Sequence, residues 1–133
     1  MKRIFIAIFL IAVSVFIGIY SLNKTTRICS NMISQLEKTT KEVIDIKENS
    51  SHDKRIELYK STQGLNDAWE ENAPFLYFFF DTNSIKNIET SIEKTPLHVK
   101  NGDLESTYLC LVECLEELEF IKSSVTIDME NIF

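Results

Sequence analysis

The stretch IFIAIFLIAVSVFIGIYSL, residues 4–22, is uncharged and strongly apolar. Lys2 and Arg3 precede it, and Lys24 and Arg27 follow it closely. In helical form its 19 residues rise about 1.5 Å each, close to the ~30 Å thickness of a bilayer's hydrocarbon core. A backbone in lipid has to satisfy its own hydrogen bonds, so we predict that this stretch forms one membrane-spanning helix.

A cleaved signal peptide is the alternative for residues 4–22. Such peptides have an apolar stretch of about 7–15 residues and small residues at the cleavage site. The stretch here is longer, and Tyr20-Ser21-Leu22-Asn23 does not fit that cleavage pattern. We therefore predict an uncleaved signal anchor at residues 1–22 and a separate domain at residues 23–133.

The charges around the span indicate its orientation. With the amino terminus, three positive charges precede the span, which favours a cytoplasmic tail. The domain at residues 23–133 is then extracytoplasmic, attached to the cell membrane by a single pass. This domain holds 12 of the 14 basic residues and all 20 acidic ones, a net charge of −8. Nucleic-acid binding needs a basic surface, so no nucleic-acid partner is expected.

Beyond the span, apolar residues recur every three or four positions, which is typical of helices. Turn-forming residues at 49–53, 72–74 and 101–103 divide the chain into four helices. The first continues the span to residue 48, the second covers 53–71, the third begins at Pro74, and the fourth follows residue 103. Pro96 should kink or end the third helix near Thr95, because proline removes a helical donor.

Each predicted helix carries one apolar stripe. Short loops between such helices favour antiparallel neighbours, so we predict an all-α fold: a transmembrane helix that continues into an up-down-up-down four-helix bundle. This order places the break at 72–74 and the C-terminal residues 129–133 near the membrane. The stripes are Ile28, Met32, Leu36, Val43 and Ile46; Leu58, Thr62, Leu65 and Trp69; Phe78, Ile85, Ile88, Ile92 and Val99; and Leu104, Tyr108, Leu111, Leu115 and Leu118.

The most apolar stretch outside the span is residues 75–80. If a helix starts at Pro74, Phe78 faces the core, whereas Leu76, Phe79 and Phe80 point away from it. Together with Trp69 and Tyr77, these side chains form a candidate surface for contact with lipid or with a membrane partner, since aromatic residues favour the membrane–water interface. The alternative is that the first and fourth helices cover them.

Two further sites are polar or small. Asp81 lies close to the apolar stripe of the third helix, so it is a candidate buried polar group, although it could equally reach water near the helix start. Ser14 and Gly18 form a small-x-x-x-small pair in the span and are a candidate contact with another membrane helix.

No arrangement typical of catalysis or metal binding is found in the sequence. Cys110 and Cys114 lie one helical turn apart, but structural zinc needs four ligands, and Cys29 and His52 would lie at opposite ends of the bundle. We expect free thiols at the edge of the core, no metal and no cofactor. There is no phosphate-binding glycine loop or Ser-His-Asp set, so we predict that the protein is not an enzyme.

Several of these segments together resemble the domain-of-unknown-function 4363 family, small single-pass proteins of spore-forming Gram-positive bacteria. The resemblance is carried by the apolar anchor, the lone tryptophan in residues 68–72, the aromatic run before Asp81, the ladder of isoleucines at 85, 88 and 92, and the ending Glu130-Asn131-Ile132-Phe133. It implies no activity. Many relatives carry His directly after the aspartate, where this chain has Thr82.

These observations predict a membrane-anchored, non-enzymatic helical protein. It would act by protein–protein or membrane-surface interaction, as an accessory subunit of a larger membrane protein among other roles. The alternative is a sensor or binding module that holds a small apolar ligand in the bundle.

Overall fold

The computed structural model describes residues 1–132, apart from the side chains at positions 128, 129 and 132. Within this range the chain forms four α-helices and no strand: α1 (Lys2–Glu48), α2 (His52–Phe79), α3 (Thr82–Lys100) and α4 (Leu104–Ile132). α1 and α3 each pack against both α2 and α4, so the four helices surround one core. The predicted all-α helical bundle is confirmed.

The first helix, α1, has 47 residues without interruption, about 70 Å at 1.5 Å per residue. This range holds a single glycine, Gly18, and no proline, the two residues that disfavour a helix interior most. The prediction that the apolar run continues directly into the bundle is therefore confirmed. By length and composition this run is able to cross a membrane or to serve as a signal sequence.

The second helix, α2, runs through Pro74 to Phe79, so the predicted break at residues 72–74 was wrong. Pro74 removes the hydrogen bond to the carbonyl of Glu70. Glu70 and Pro74 both lie on the exposed side of α2, where water is available to that carbonyl. Asn72 does not cap a new helix; its amide donates to the carbonyl of Ala68 at 2.7 Å. The break is displaced to Phe80, whose backbone is extended.

The third helix, α3, begins after Asp81 and continues past Pro96 to Lys100. Pro96 was predicted to kink or end the helix near Thr95; the helix does not end there, and the turn at residues 101–103 is confirmed. Gly102 adopts a φ of 75° there, a conformation that favours glycine. Asp103 then begins α4 by accepting the backbone N–H of Ser106 at 3.0 Å. Hydrogen bonds from the side chain and backbone of Ser106 lower the pKa of Asp103.

Most residues of the four predicted apolar stripes form the core. The exceptions belong to the stripes that were predicted for the third and fourth helices. Those of α1 and α2 are buried throughout. Phe78 was predicted to be buried but is 81% exposed, and Leu104, Tyr108 and Leu115 are only half-buried. The buried positions of α3 and α4 alternate in steps of three and four, as in coiled coils. They are Ile85, Ile88, Ile92, Thr95 and Val99 in α3, and Thr107, Leu111, Cys114, Leu118, Ile121 and Val125 in α4.

Every helix also contributes a buried threonine. Thr39, Thr62, Thr95 and Thr107 are each at most 2% exposed. Their hydroxyls donate to carbonyls three or four residues earlier in the chain, at 2.7–2.9 Å. These bonds satisfy the hydroxyls locally, so the core accepts the polar groups without links between helices.

Side-chain contacts fix which parts of the helices lie together. Along α1 and α2, Asp45 bonds Lys54 at 2.9 Å and Glu42 accepts the hydroxyl of Ser61. Further along, the ammonium of Lys24 lies 4.5 Å from the ring centre of Phe75. Residues later in α2 therefore contact residues earlier in α1.

Equivalent contacts connect the other neighbouring helices. Tyr77 of α2 donates its hydroxyl to Glu89 of α3, and the thiol of Cys114 in α4 lies 3.8 Å from the carbonyl of Ile88 in α3. Lys47 near the end of α1 lies 5.2 Å from the ring centre of Tyr108 near the start of α4. The predicted position of residues 129–133 falls partly outside the described residues, because it concerns Phe133 and the side chains at 129 and 132.

Candidate functional site

An aromatic cluster lies where α2 ends. We call Phe75, Phe78 and Phe79 the aromatic corner. The ring centres of Phe75 and Phe79 are 4.8 Å apart, and those of Phe78 and Phe79 are 4.9 Å apart in an edge-to-face arrangement. Phe78 is 81% exposed and Phe79 is 42% exposed, so the corner forms an apolar patch on the surface. Lys24 covers Phe75 from α1 as a cation–π contact.

Two residues predicted for this surface are instead part of the core. Trp69 is 1% exposed and Leu76 is fully buried. Because α2 continues through Pro74, the buried side of the helix also continues, and Leu76 lies two turns beyond Trp69 on that side. The prediction that Leu76 points away from the core was therefore wrong, and so was the placement of Phe78 in it.

The other two predicted residues are intermediate. Tyr77 is half-buried and donates its hydroxyl to the carboxylate of Glu89. This hydrogen bond, with partial burial, raises the pKa of Tyr77 to about 12, so the phenol stays neutral through the physiological range. Phe80 packs partly against the core. Tyr77 and Phe80 thus connect the exposed corner to the bundle.

Asp81 is exposed at the start of α3, so of its two predicted alternatives the buried polar group was wrong and the contact with water near a helix start is the one observed. Its carboxylate accepts the backbone N–H of Ser84 at 3.2 Å, as the N-cap of α3. A carboxylate at a helix N-terminus is also stabilised by the helix dipole. Asp81 therefore has a structural role, which the sequence would have indicated had the helix boundary been placed correctly.

Comparison with known proteins reveals one match. The profile of a family described as "Domain of unknown function (DUF4363)" matches residues 16–132. The chain belongs to this family. No curated protein and no solved structure matches the chain. The matched range includes the last seven residues of the apolar run, so the DUF4363 region crosses the point where α1 enters the bundle.

The small-residue pair in the N-terminal part of this DUF4363 protein is open to neighbours. A Cβ atom added to Gly18 would meet no atom within 4 Å, and the hydroxyl of Ser14 donates to the carbonyl of Leu10 at 2.8 Å. Contact of Ser14 and Gly18 with a second membrane helix stays a prediction. Loss of a membrane two-hybrid signal in Gly18→Leu is the expected result, and an unchanged signal would refute it.

The three cysteines of this DUF4363 protein are free thiols. Burial raises the pKa of Cys29 to about 11 and that of Cys114 to about 12, and it also raises the pKa of Cys110. Thiols with such pKa values are protonated at neutral pH and are poor nucleophiles. Among the described residues, no three His, Cys, Asp or Glu side chains converge as metal ligands.

A second exposed apolar feature was missed by the sequence reasoning. Leu109, Phe120 and Ile127 of α4 are 54%, 71% and 56% exposed. Their spacings of 11 and 7 residues place them within about 20° of one line along the helix. We call them the outer stripe of α4. The signal was available in the sequence as a second periodic set beside the buried one.

Proposed function

We propose that this chain is a single-pass membrane protein whose bundle, held outside the cytoplasm, acts by non-covalent contact with another membrane protein. The observation that carries this proposal is the contrast along α1. Phe5, Phe9 and Phe16 are 67–72% exposed, although they belong to the most apolar part of the chain. An apolar helix without protein cover needs lipid around it, and only 6% of its most apolar 18-residue window is buried.

An up-down-up-down arrangement of the four helices is part of this proposal. The contacts along α1 and α2 pair late residues of one helix with early residues of the other. The contact between Lys47 and Tyr108 pairs the end of α1 with the start of α4 in the same way. Three short connections between long helices also favour this topology. It would leave the ends of α2 and α4 close to the membrane.

The outer stripe of α4 is the surface that we propose for the protein partner. Its three large apolar side chains stand exposed on one line of a helix, in a domain that is otherwise strongly acidic. Glu116 lies on the same line and is exposed as well. An apolar stripe edged by carboxylates is suited to an amphipathic partner surface with basic groups beside an apolar face.

Anchoring is tested first, with the full-length protein in native membranes. We expect the protein to stay in the membrane pellet after alkaline carbonate extraction, with residues 1–22 still present by mass spectrometry. A soluble product that begins near Asn23 would refute the anchor. Protease added to intact cells or spheroplasts should digest the bundle, and complete protection of the bundle would refute the orientation.

The partner surface is tested by photo-crosslinking in the same membranes. A photoreactive amino acid at Phe120 should give a discrete crosslinked product, whereas the same group at Lys60, exposed on α2, should not. Identification of the product by mass spectrometry names the partner. Absence of a product at Phe120, with the bundle folded and anchored, would refute the outer stripe of α4 as a docking surface.

A further inference from the structure

The aromatic corner lies beside the part of α1 where the uncovered apolar run ends. Lys24, two residues after the run, contacts Phe75 of the corner. Tyr20 precedes Lys24 by one helical turn and so lies on the same side of α1, where it is 54% exposed. Tyr20 and the corner therefore belong to one region of the surface, shared by α1 and α2.

The position of the aromatic corner along the length of α1 follows from the same contacts. Side chains on a helix lean toward its N-terminus, so the ammonium of Lys24 extends back toward the level of Tyr20. Residues later in α2 lie beside residues earlier in α1, and Phe79 is one turn beyond Phe75. Phe78 and Phe79 are thus placed beside the last turn of the apolar run, which ends at Leu22.

We propose that Phe78 and Phe79, together with Tyr20, insert into the lipid–water interface of the bilayer that α1 crosses. The proposal rests on the proposed single-pass anchor and adds a second attachment to it. The bundle would then be held against the membrane at a defined tilt, instead of being joined to it through one helix alone.

The chemistry of the region favours lipid as the occupant. Lys24 connects the corner to the residues just after the apolar run, so a bilayer around the run would be adjacent to the patch. Aromatic rings are stable at this depth, and the hydroxyl of Tyr20 has access to water there. Lys24 and Arg27 lie just above the end of the run, where lipid phosphates are found. Residues 23–133 carry a net charge of −8, with 12 basic and 20 acidic residues, so zwitterionic lipid fits the domain better than strongly anionic lipid.

The test measures depth directly, in the full-length protein. An environment-sensitive fluorescent amino acid is placed at Phe78, and the protein is reconstituted in phosphatidylcholine vesicles with brominated acyl chains, which quench fluorophores in contact with them. Leu97 is the matched control, because it is apolar and 61% exposed. Leu97 lies in α3 and lines the same surface depression as Gln63, Asn66 and Asp67 of α2. Those residues are eight to twelve positions before Phe75, so Leu97 lies about 12–18 Å from the corner along the helix axis.

We expect the probe at position 78 to lose most of its emission in brominated vesicles and the probe at position 97 to keep it. A third probe, at Ile11, reports on the anchor. Quenching at 11 without quenching at 78 would overturn the interfacial insertion and leave the anchor standing. No quenching at 11 would refute the single-pass anchor itself.

Cover by protein instead of lipid is a separate outcome. A probe at position 78 that is shielded from a water-soluble quencher but unaffected by brominated lipid would show that a second copy or another protein occupies the corner. That result would also overturn the proposal.

As a second variant, Phe78→Ser should reduce the bromolipid quenching of a probe at Phe79. It should leave the unfolding of the bundle unchanged, because Phe78 is mostly exposed; undiminished quenching at Phe79 would count against joint insertion.

Discussion

The two parts of α1 share one unbroken backbone but differ in how their apolar side chains are covered. In residues 4–20 apolar groups surround the helix and nearly all are exposed, whereas from Ser21 onward one side alone is apolar and that side is buried. A helix that is apolar all round needs a solvent other than water, and one with a single apolar stripe needs protein on that side. The comparison shows that one unbroken helix can carry two different patterns of apolar cover.

The largest expected effect is on retention in the membrane, after charged residues are placed in either of the two parts of α1. Ile8→Arg with Ile11→Arg places two charges near the middle of the apolar run, at a cost of about 5–7 kcal/mol for a spanning helix. We expect most of the protein to leave the membrane pellet while its circular dichroism stays helical. Ile44→Arg, on the exposed side of the bundle part of α1, is the control and should stay in the pellet. Equal retention of both proteins would mean that the apolar run does not need lipid.

The next effect compares the same type of truncation in both parts of the helix. Leu36 is fully buried and Leu10 is 58% exposed. Leu36→Ala should lower the free energy of unfolding of the bundle by about 2–5 kcal/mol, because it removes core contacts and leaves a cavity. Leu10→Ala should change it by less than about 0.5 kcal/mol. Urea unfolding in detergent micelles, followed by the fluorescence of Trp69, measures both, and similar losses would contradict the division of α1.

A smaller effect is expected beside the junction of the two parts, where α3 begins. Asp81→Ala removes the N-cap bond to Ser84 and should lower the stability of the bundle by about 1 kcal/mol. Asp67→Ala, at an exposed site inside α2, is the control and should have little effect. The same urea titration applies. A loss of several kcal/mol at Asp81 would indicate a buried role for this carboxylate after all.

The smallest effect on the free energy of unfolding is expected from two hydroxyls, one in each part of α1, that donate to the carbonyl four residues earlier. Thr39 donates to the carbonyl of Gln35, and Ser14 donates to that of Leu10. Thr39→Val replaces a buried hydroxyl by a methyl group, and we expect a change of at most about 1 kcal/mol in the unfolding of the bundle, in the stabilising direction. Ser14→Ala should leave it unchanged. A strong loss in Thr39→Val would mean that this hydroxyl is also needed between helices.

Much of the fold follows from local patterns in the sequence. The long α1, the apolar stripes of α1 and α2, and the turn at Gly102 were all predicted from spacing and turn-forming residues. The candidate site was predicted less well. Phe79 is exposed as predicted. Trp69 and Leu76, which were predicted for the surface, are core residues, whereas Phe78, which was predicted for the core, is exposed. The errors at Leu76 and Phe78 have one origin, the helix boundary assigned to Pro74, whereas Trp69 already belonged to the predicted apolar stripe of the second helix.

The sequence by itself determined which segments are helical and which side of most of them is apolar, because these properties depend on residues within one or two turns. Where α2 ends was decided by tertiary structure. Ala73, just before Pro74, and Leu76, just after it, are both buried in the core, while Pro74 itself faces outward. Burial on one side of the helix stabilises it through the proline, and water on the other side is available to the freed carbonyl. Neither condition can be read from a single helix, because both depend on what surrounds it.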